Sequence, residues 1–311
     1  MRPATQGVIA LALVALSACG PKPAAPETAA ELPARVLEGA WHVTWISVES
    51  GPNAGSHTVD VQPAIYIFSG THYAITAVNG FEARAYLPRT PTDEEHGRAF
   101  APFTGSTGTY QSNADALTLV EQVSKDPADM AGGKTRDFGL EWVDGKVLLV
   151  ETTSDSGQVR TELTRLATDL LPVSPEAQRL KGVWRRAEMT IDTGEDKGTH
   201  LDDMQPGYYV FSPPYFAGNF VSAFAPRPLL GKKPTDAQLG KAFAPFVSFA
   251  GTYTLSNNVL VFRPLVTQNP NNMRGLPFQS IKTEWAGEDI WLIYTSREGR
   301  QNRVRLARVA D

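Results

Sequence analysis

Short apolar or alternating runs, separated by turn residues, set the pattern of this chain from Val36 onward. Ile65–Phe68, Ala116–Val123, Val147–Thr152 and Val159–Leu166 are of this kind, as are Tyr208–Phe211, Val259–Val266, Ile290–Thr295 and Arg303–Val309. A period of two puts every second side chain on one face of a strand, and continuous apolar runs of this length suit strands buried on both faces. Between Phe138–Val143 and Val147–Thr152 stands Asp144-Gly145, a dipeptide favoured in the type I′ turn of a two-residue hairpin. Hairpins following one another at this spacing predict an antiparallel meander that closes into a barrel.

Two stretches depart from the β pattern. Thr92-Asp93-Glu94-Glu95 and Thr235-Asp236-Ala237-Gln238 each fit a capping box, in which the Thr hydroxyl and the Glu or Gln side chain satisfy unpaired amides at a helix start. Leu239, Ala242, Phe243 and Phe246 then fall at i, i+3, i+4 and i+7, on one face of a helix that Pro245 soon ends. The apolar underside, Phe100 and Phe103 or Leu239, Phe243 and Phe246, has nothing within the helix to cover it. Its expected place is the open end of its own barrel.

These two stretches belong to a tandem duplication. Pro91-Thr92-Asp93, Ala99-Phe100-Ala101-Pro102-Phe103 and Gly108-Thr109-Tyr110 return as Pro234-Thr235-Asp236, Ala242-Phe243-Ala244-Pro245-Phe246 and Gly251-Thr252-Tyr253, all displaced by 143 residues. The same offset carries Trp41 onto Trp184, His57 onto His200, Tyr66 onto Tyr209, Arg84 onto Arg227 and Arg165 onto Arg308 without a gap. A unit of this length exceeds the roughly 20–50 residues of solenoid repeats and reads as a domain. The boundaries are 37–166 and 180–309, with 167–179, containing Pro172 and Pro175, as linker. Each half has its own Trp, helix and final strand, and each is expected to fold alone.

Ahead of the first repeat, Arg2 precedes an apolar run, Val8–Leu16, far shorter than the ~20 residues of a membrane-spanning helix. Leu16-Ser17-Ala18-Cys19 follows and resembles the lipobox of bacterial lipoproteins. The resemblance implies removal of residues 1–18, acylation of Cys19 and, with Gly20 next in line, an outer-membrane lipoprotein of the bacterial cell envelope facing the periplasm. Residues 19–36, rich in Pro and Ala, read as a tether reaching up to ~50 Å at ~3.1 Å per residue. Cys19 is the only cysteine among 311 residues, so no disulfide holds the fold and the core must. A net charge of −4 without a basic run excludes a nucleic-acid surface, and 42% hydrophobic with 20% charged residues suits a globular protein.

The order of motifs in each unit carries a second resemblance. Gly-x-Trp near the start, a strand ending in aromatic-Ser, the Thr-Asp helix, Gly-Thr-Tyr, the Asn269–Gly275 segment and a last Trp-containing hairpin are similar to the bacterial lipocalin-like domain family. The implied fold is all-β: two tandem antiparallel lipocalin-like (calycin-type) β-barrels, each with one short helix and a central cavity. By the same resemblance Trp41 packs at a closed end under Arg165, and Trp184 under Arg308, with a structural role. The units differ where Lys134-Thr135-Arg136 faces Pro277-Phe278-Gln279, so any role of Arg136 is not shared.

Catalytic signatures are absent: no Gly-x-Ser-x-Gly, Ser-x-x-Lys or His-Glu-x-x-His and no phosphate-binding glycine loop. His57 and His200 recur, each three residues before an aspartate, Asp60 or Asp203. Without a further recurring ligand nearby they make no metal site, and they read as loop pairs or as polar dyads at the barrel mouth. Arg84 and Arg227, each following an aromatic-rich segment, are candidate cations for an anionic head group. Tyr66, Tyr209, Phe103 and Phe246 complete the candidate ligand contacts. The reading is a membrane-anchored pair of barrels holding a small apolar or amphipathic ligand, with no cofactor, no metal and no nucleic-acid partner. Two alternatives stand beside it, an isomerase- or cyclase-like barrel enzyme and an envelope module with filled cores.

Overall fold

A computed structural model describes residues 36–310 apart from 52–53, 60, 80–82, 153–156, 170, 196, 203, 224, 274–278 and 297–298. Cys19, the tether up to residue 35, Asp60 and Asp203 lie outside the described residues. In the first repeat the strands are β1 (Gly39–Ser50), β2 (His57–Thr58), β3 (Ala64–Ser69), β4 (His72–Val78), β5 (Phe103–Ser112), β6 (Ala116–Ser124), β7 (Thr135–Val143), β8 (Lys146–Thr152) and β9 (Gln158–Arg165). The second repeat supplies β10 (Gly182–Ile191), β11 (His200–Leu201), β12 (Gly207–Ser212), β13 (Tyr215–Val221), β14 (Phe246–Ser256), β15 (Val259–Thr267), β16 (Gln279–Ala286), β17 (Asp289–Thr295) and β18 (Gln301–Arg308).

Each repeat is an antiparallel meander whose first long strand also pairs with its last, β1 with β9 and β10 with β18, so the sheet closes on itself. The short β2 and β11 fold back as ribbons on β1 and β10. Asp144 and Gly145 both take positive φ, 49° and 77°, the backbone a type I′ turn demands between β7 and β8. Period-two alternation fills the interiors. Trp41, Phe68, Tyr73, Leu119 and Leu163 are fully buried inside the first barrel, and Trp184, Phe211, Phe216, Phe262 and Leu306 inside the second.

Among the described residues four short α-helices join the strands: α1 (Asp93–Phe100), α2 (Pro127–Gly132), α3 (Pro175–Arg179) in the linker and α4 (Asp236–Phe243). Thr92 and Thr235 cap α1 and α4 with both halves of the capping box formed. The expectation of one helix per barrel is corrected by α2, which Asp126 caps and Pro127 starts, and whose place in the second repeat is taken by a 3₁₀ turn at Pro270–Asn272.

The outer faces of the two barrels are as apolar as their interiors where they meet. Ile65, Ile67, Ala74, Val78, Phe103 and Val123 of one barrel pack in a single buried layer with Val183, Val210, Tyr215, Ala217, Phe246 and Val266 of the other. That is why all seven residues of β4 are buried: one set of alternate side chains faces the barrel, the other faces the seam. Asn219, fully buried, spans the seam by donating its amide to the carbonyls of Ile75 (3.3 Å) and Ser106 (3.0 Å) and to Thr107 Oγ1 (2.7 Å). Cutting the chain at the linker would bare both halves of this layer to water.

The contacts across the seam are reciprocal at the repeat offset, as in a two-fold dimer. The apolar faces of α1 and α4 do not cover their own barrels; they meet each other, Ala99 and Phe100 against Ala242 and Phe243. Close approach is possible because a Cβ on Gly97 would overlap the Asp236 carbonyl, and a Cβ on Gly240 that of Asp93, and glycine has none. At the exposed rim Arg98 approaches Asp236 (3.6 Å) and Lys241 approaches Asp93 (4.0 Å), pairs of little energetic weight in water.

Candidate functional site

The structure places the recurring arginines in the seam, where each reaches across to the other barrel. Arg84 donates from Nη2 to the Thr267 carbonyl (2.5 Å) and from Nη1 to the carbonyls of Gln268 (2.6 Å) and Ala99 (3.3 Å). Arg227, at the matching position, donates to the carbonyls of Ser124 (2.6 Å), Lys125 (2.6 Å) and Ala242 (3.3 Å). Their guanidinium carbons stand 5.4 Å from the rings of Phe103 and Phe246, which belong to the seam layer and not to a barrel interior. Burial lowers both guanidinium pKa values to about 10, still charged at neutral pH. The expected position of these cations at the mouths of their own barrels is thereby corrected: the loops that carry them run along the other copy, whose strand-end carbonyls take up the donors.

Lys125 and Gln268, which correspond by offset, cap the helix ends from the same side. Lys125 Nζ donates to the carbonyls of Phe100 (3.3 Å) and Ala101 (3.0 Å), and Gln268 Nε2 donates to that of Phe243 (2.7 Å). His57 is exposed on β2 with its ring 5.2 Å from that of Trp45, and His200 is exposed on β11. Neither lines a barrel interior in the described residues.

One end of each barrel is closed by the tryptophan and arginine expected there. Trp41 and Trp184 donate from Nε1 to the carbonyls of Leu37 and Leu180, both at 2.7 Å. Arg165 lies 4.2 Å above the Trp41 ring and donates to the carbonyls of Val36 and Glu38; Arg308 lies 4.3 Å above Trp184 and donates to those of Arg179 and Lys181. Cation–π contacts of this kind contribute roughly 0.5–2 kcal/mol, and the carbonyl bonds tie the entering chain to the last strand.

Towards the other end the two interiors differ in chemistry. In the first barrel Arg136 forms a bidentate pair with Glu151, with contacts of 2.9–3.1 Å, and stands 5.0 Å from the Phe138 ring. Burial works against the Arg136 charge, but Glu151 outweighs it and the pKa ends above the ordinary value. This pair forms part of the wall of an open cleft of about 820 Å³ lined by Ala116, Lys134 and residues of β7 and β8. Deeper in, the Tyr73 and Ser106 hydroxyls and the Glu121 carboxyl are buried together, Tyr73 beside Ser106 and Glu121 beside Ser124, and burial raises the Glu121 carboxyl above its usual range. Glu121 faces inward in step with Leu117 and Leu119 on β6, and the β-bulge that follows it turns Val123 to the seam. The sequence reading missed it, although the alternation of Leu117 and Leu119 reaches it, because a carboxylate is not expected among inward side chains.

The second barrel holds a partly open cavity of about 180 Å³ lined by Tyr209, Phe220, Phe249, Phe262 and Tyr294, with Arg186 in its wall. The rings pack edge-to-face or offset around it, Phe249 on Phe262 at 5.6 Å and Tyr209 on Phe249 at 6.1 Å. Of the candidate ligand contacts, Tyr209 lines this cavity, while Tyr66 occupies the matching place beside the Arg136–Glu151 pair. Burial raises the pKa of Tyr209 and Tyr294, so both hydroxyls keep their protons at neutral pH. Arg186 was not singled out in the sequence, although the offset sets it against Val43, a change from apolar to charged at an inward position.

No protein-family model matches the chain, and no curated protein matches it. Among solved structures, a redesigned β-barrel is 14% identical over 42% of this chain and 92% of its own, with a TM-score of 0.24. A protein of unknown function from the DUF3598 family of Nostoc punctiforme is 10% identical over 88% of this chain and 96% of its own, with a TM-score of 0.21. A mutant of the vaccine antigen transferrin-binding protein B from Haemophilus parasuis is 9% identical over 88% and 76%, with a TM-score of 0.19.

Proposed function

We propose that the second barrel is a binding chamber for one small apolar or amphipathic molecule. The observation that carries this reading is the partly open aromatic cavity of about 180 Å³ formed within β10–β18. Interiors of folded proteins are close-packed, with few voids larger than a water molecule, and an apolar cavity of roughly 150 Å³ is known to stay dry and accept benzene. The first barrel places an ion pair and enclosed hydroxyls at the corresponding height, so the repeats have diverged in chemistry while keeping one fold. Toluene titrated into the protein is expected to shift the methyl NMR signals of Val247, Leu292 and Val304 selectively. Val304→Phe, which fills the cavity, is expected to weaken that binding at least tenfold while the variant stays folded. A parent protein whose methyl signals do not respond to toluene up to its solubility limit sinks the reading.

The same reading puts the two barrels on a membrane. Leu16-Ser17-Ala18-Cys19 supports acylation of Cys19, and Gly20 after it supports the outer membrane as the destination, with the barrels in the periplasm. Among the described residues no helix is long and apolar enough to cross a bilayer, and the anchor proposed is the acyl group on Cys19. Cys19→Ala is expected to move the protein from the membrane to the soluble fraction and to remove the acyl mass. Recovery of the unmutated protein in the soluble fraction with residues 1–18 still attached would refute the anchor.

A further inference from the structure

We infer that the ligand of the second barrel is a small monocarboxylate whose carboxylate pairs with Arg186, an inference that rests on the binding-chamber reading. Arg186 lies on β10, two residues beyond the inward-facing Trp184 and just before the β-bulge that separates it from Glu188. It is only 6% exposed, and it lines the aromatic cavity with its guanidinium carbon 4.3 Å from the Phe220 ring. A guanidinium carries five N–H donors. The hydrogen bond it makes among the described residues is one long contact from Nη1 to the Val221 carbonyl at 3.3 Å.

The other inward or seam arginines are provided for. Arg84 and Arg227 each reach three carbonyls, and Arg136 has Glu151 in bidentate contact. No carboxylate of the described residues forms an ion pair with Arg186, and the titratable groups that act on it are the uncharged phenols of Tyr209 and Tyr294. A buried cation left without an anion is strongly unfavourable, and removing its water without replacing the hydrogen bonds is the main cost. The fold does not require the charge, because the first barrel closes with Val43 in the same position. Nor does the second barrel keep the carboxylate of the first: Tyr294 stands where Glu151 stands. What remains is a cation facing an apolar, ring-lined chamber with two protonated phenols beside it. That arrangement is complementary to a carboxylate on a compact apolar body, one oxygen to the guanidinium and the other to a phenol hydroxyl. The volume of about 180 Å³ suits a single ring or a short branched chain and excludes a long acyl chain held entirely inside.

Three probes test this on the full chain by calorimetry and NMR: benzoate, its neutral isostere benzamide, and toluene. Benzoate is expected to bind the parent at least tenfold tighter than benzamide. Arg186→Val, which installs the first barrel's own residue, is expected to weaken benzoate at least 20-fold and to leave toluene unchanged or tighter. Arg186→Lys should restore part of the benzoate affinity and serves as the control if the valine variant folds poorly. Toluene binding with no preference for benzoate over benzamide, or benzoate binding equally to the parent and to Arg186→Val, overturns the carboxylate inference and leaves the chamber intact. Failure of all three probes to bind removes the chamber and this inference together.

Discussion

Arg227→Ala is expected to lower the stability of the whole protein by about 3 kcal/mol, read as a lower urea midpoint with the slope unchanged. Two of its bonds, to the Ser124 and Lys125 carbonyls, are short at 2.6 Å, and bonds to a charged group contribute roughly 1.5–3 kcal/mol each. The desolvation cost recovered by removing the guanidinium offsets part of that sum. Truncation also strips packing from the Phe246 ring. Because Phe246 belongs to the layer shared by both barrels, the loss should be felt by tryptophans in both, with a single transition preserved. Arg84→Ala should behave in the same way, with the roles of the barrels exchanged, since its bonds to Thr267 and Gln268 sit at the same offset. An Arg227→Ala protein that melts with the parent would show that the cross-seam bonds contribute nothing net.

Gly240→Val is expected to be at least as damaging, about 3 kcal/mol or more. The atom it introduces at Cβ would overlap the backbone carbonyl of Asp93, and a backbone cannot rotate out of the way as a side chain can. The two helices must separate, and Phe100 and Phe243, each about 5% exposed or less, then lose contacts that they find nowhere else. Overpacking of this kind typically costs roughly 1–3 kcal/mol when side chains can adjust, and more when the main chain must move. Gly97→Val meets Asp236 in the matching way and should cost a similar amount. The comparison with Gly231→Val is informative, because a Cβ there meets nothing within 4 Å and the variant should melt like the parent. If Gly240→Val and Gly231→Val have equal midpoints in calorimetry, the close helix approach does not hold in solution.

Both results concern the same physical point, that this chain is one repeat written twice, its two copies packed as in a two-fold dimer. Its apolar helix faces, its recurrent arginines and its aromatic Phe103 and Phe246 serve the contact between copies. A single repeat, considered alone, offers no partner for them except its own barrel mouth. That is why a reading of one unit assigns Arg84 and Arg227 to a ligand and the helix to a lid.

The sequence by itself determined the β class, the hairpin at Asp144-Gly145, the helix starts at Thr92 and Thr235 and the duplication at an offset of 143, because each rests on local chemistry or direct identity. The resemblance to lipocalin-like domains supplied the pairing of Trp41 with Arg165 and of Trp184 with Arg308, and period-two alternation agreed with it by putting Arg165 on the face of Leu163 and Arg308 on that of Leu306. Only the tertiary structure decided which of two apolar faces of a strand such as β4 meets the barrel and which meets the second copy, since continuous hydrophobicity carries no direction. It also decided where the alternation of a strand reverses: Leu117, Leu119 and Glu121 share the inner face of β6, but the bulge after Glu121 turns Val123 to the seam, and the sequence does not mark that point. The chamber in the second barrel is a volume left between side chains contributed by strands from β10 to β18, a quantity that depends on how all of them fit and that no single stretch of the chain contains.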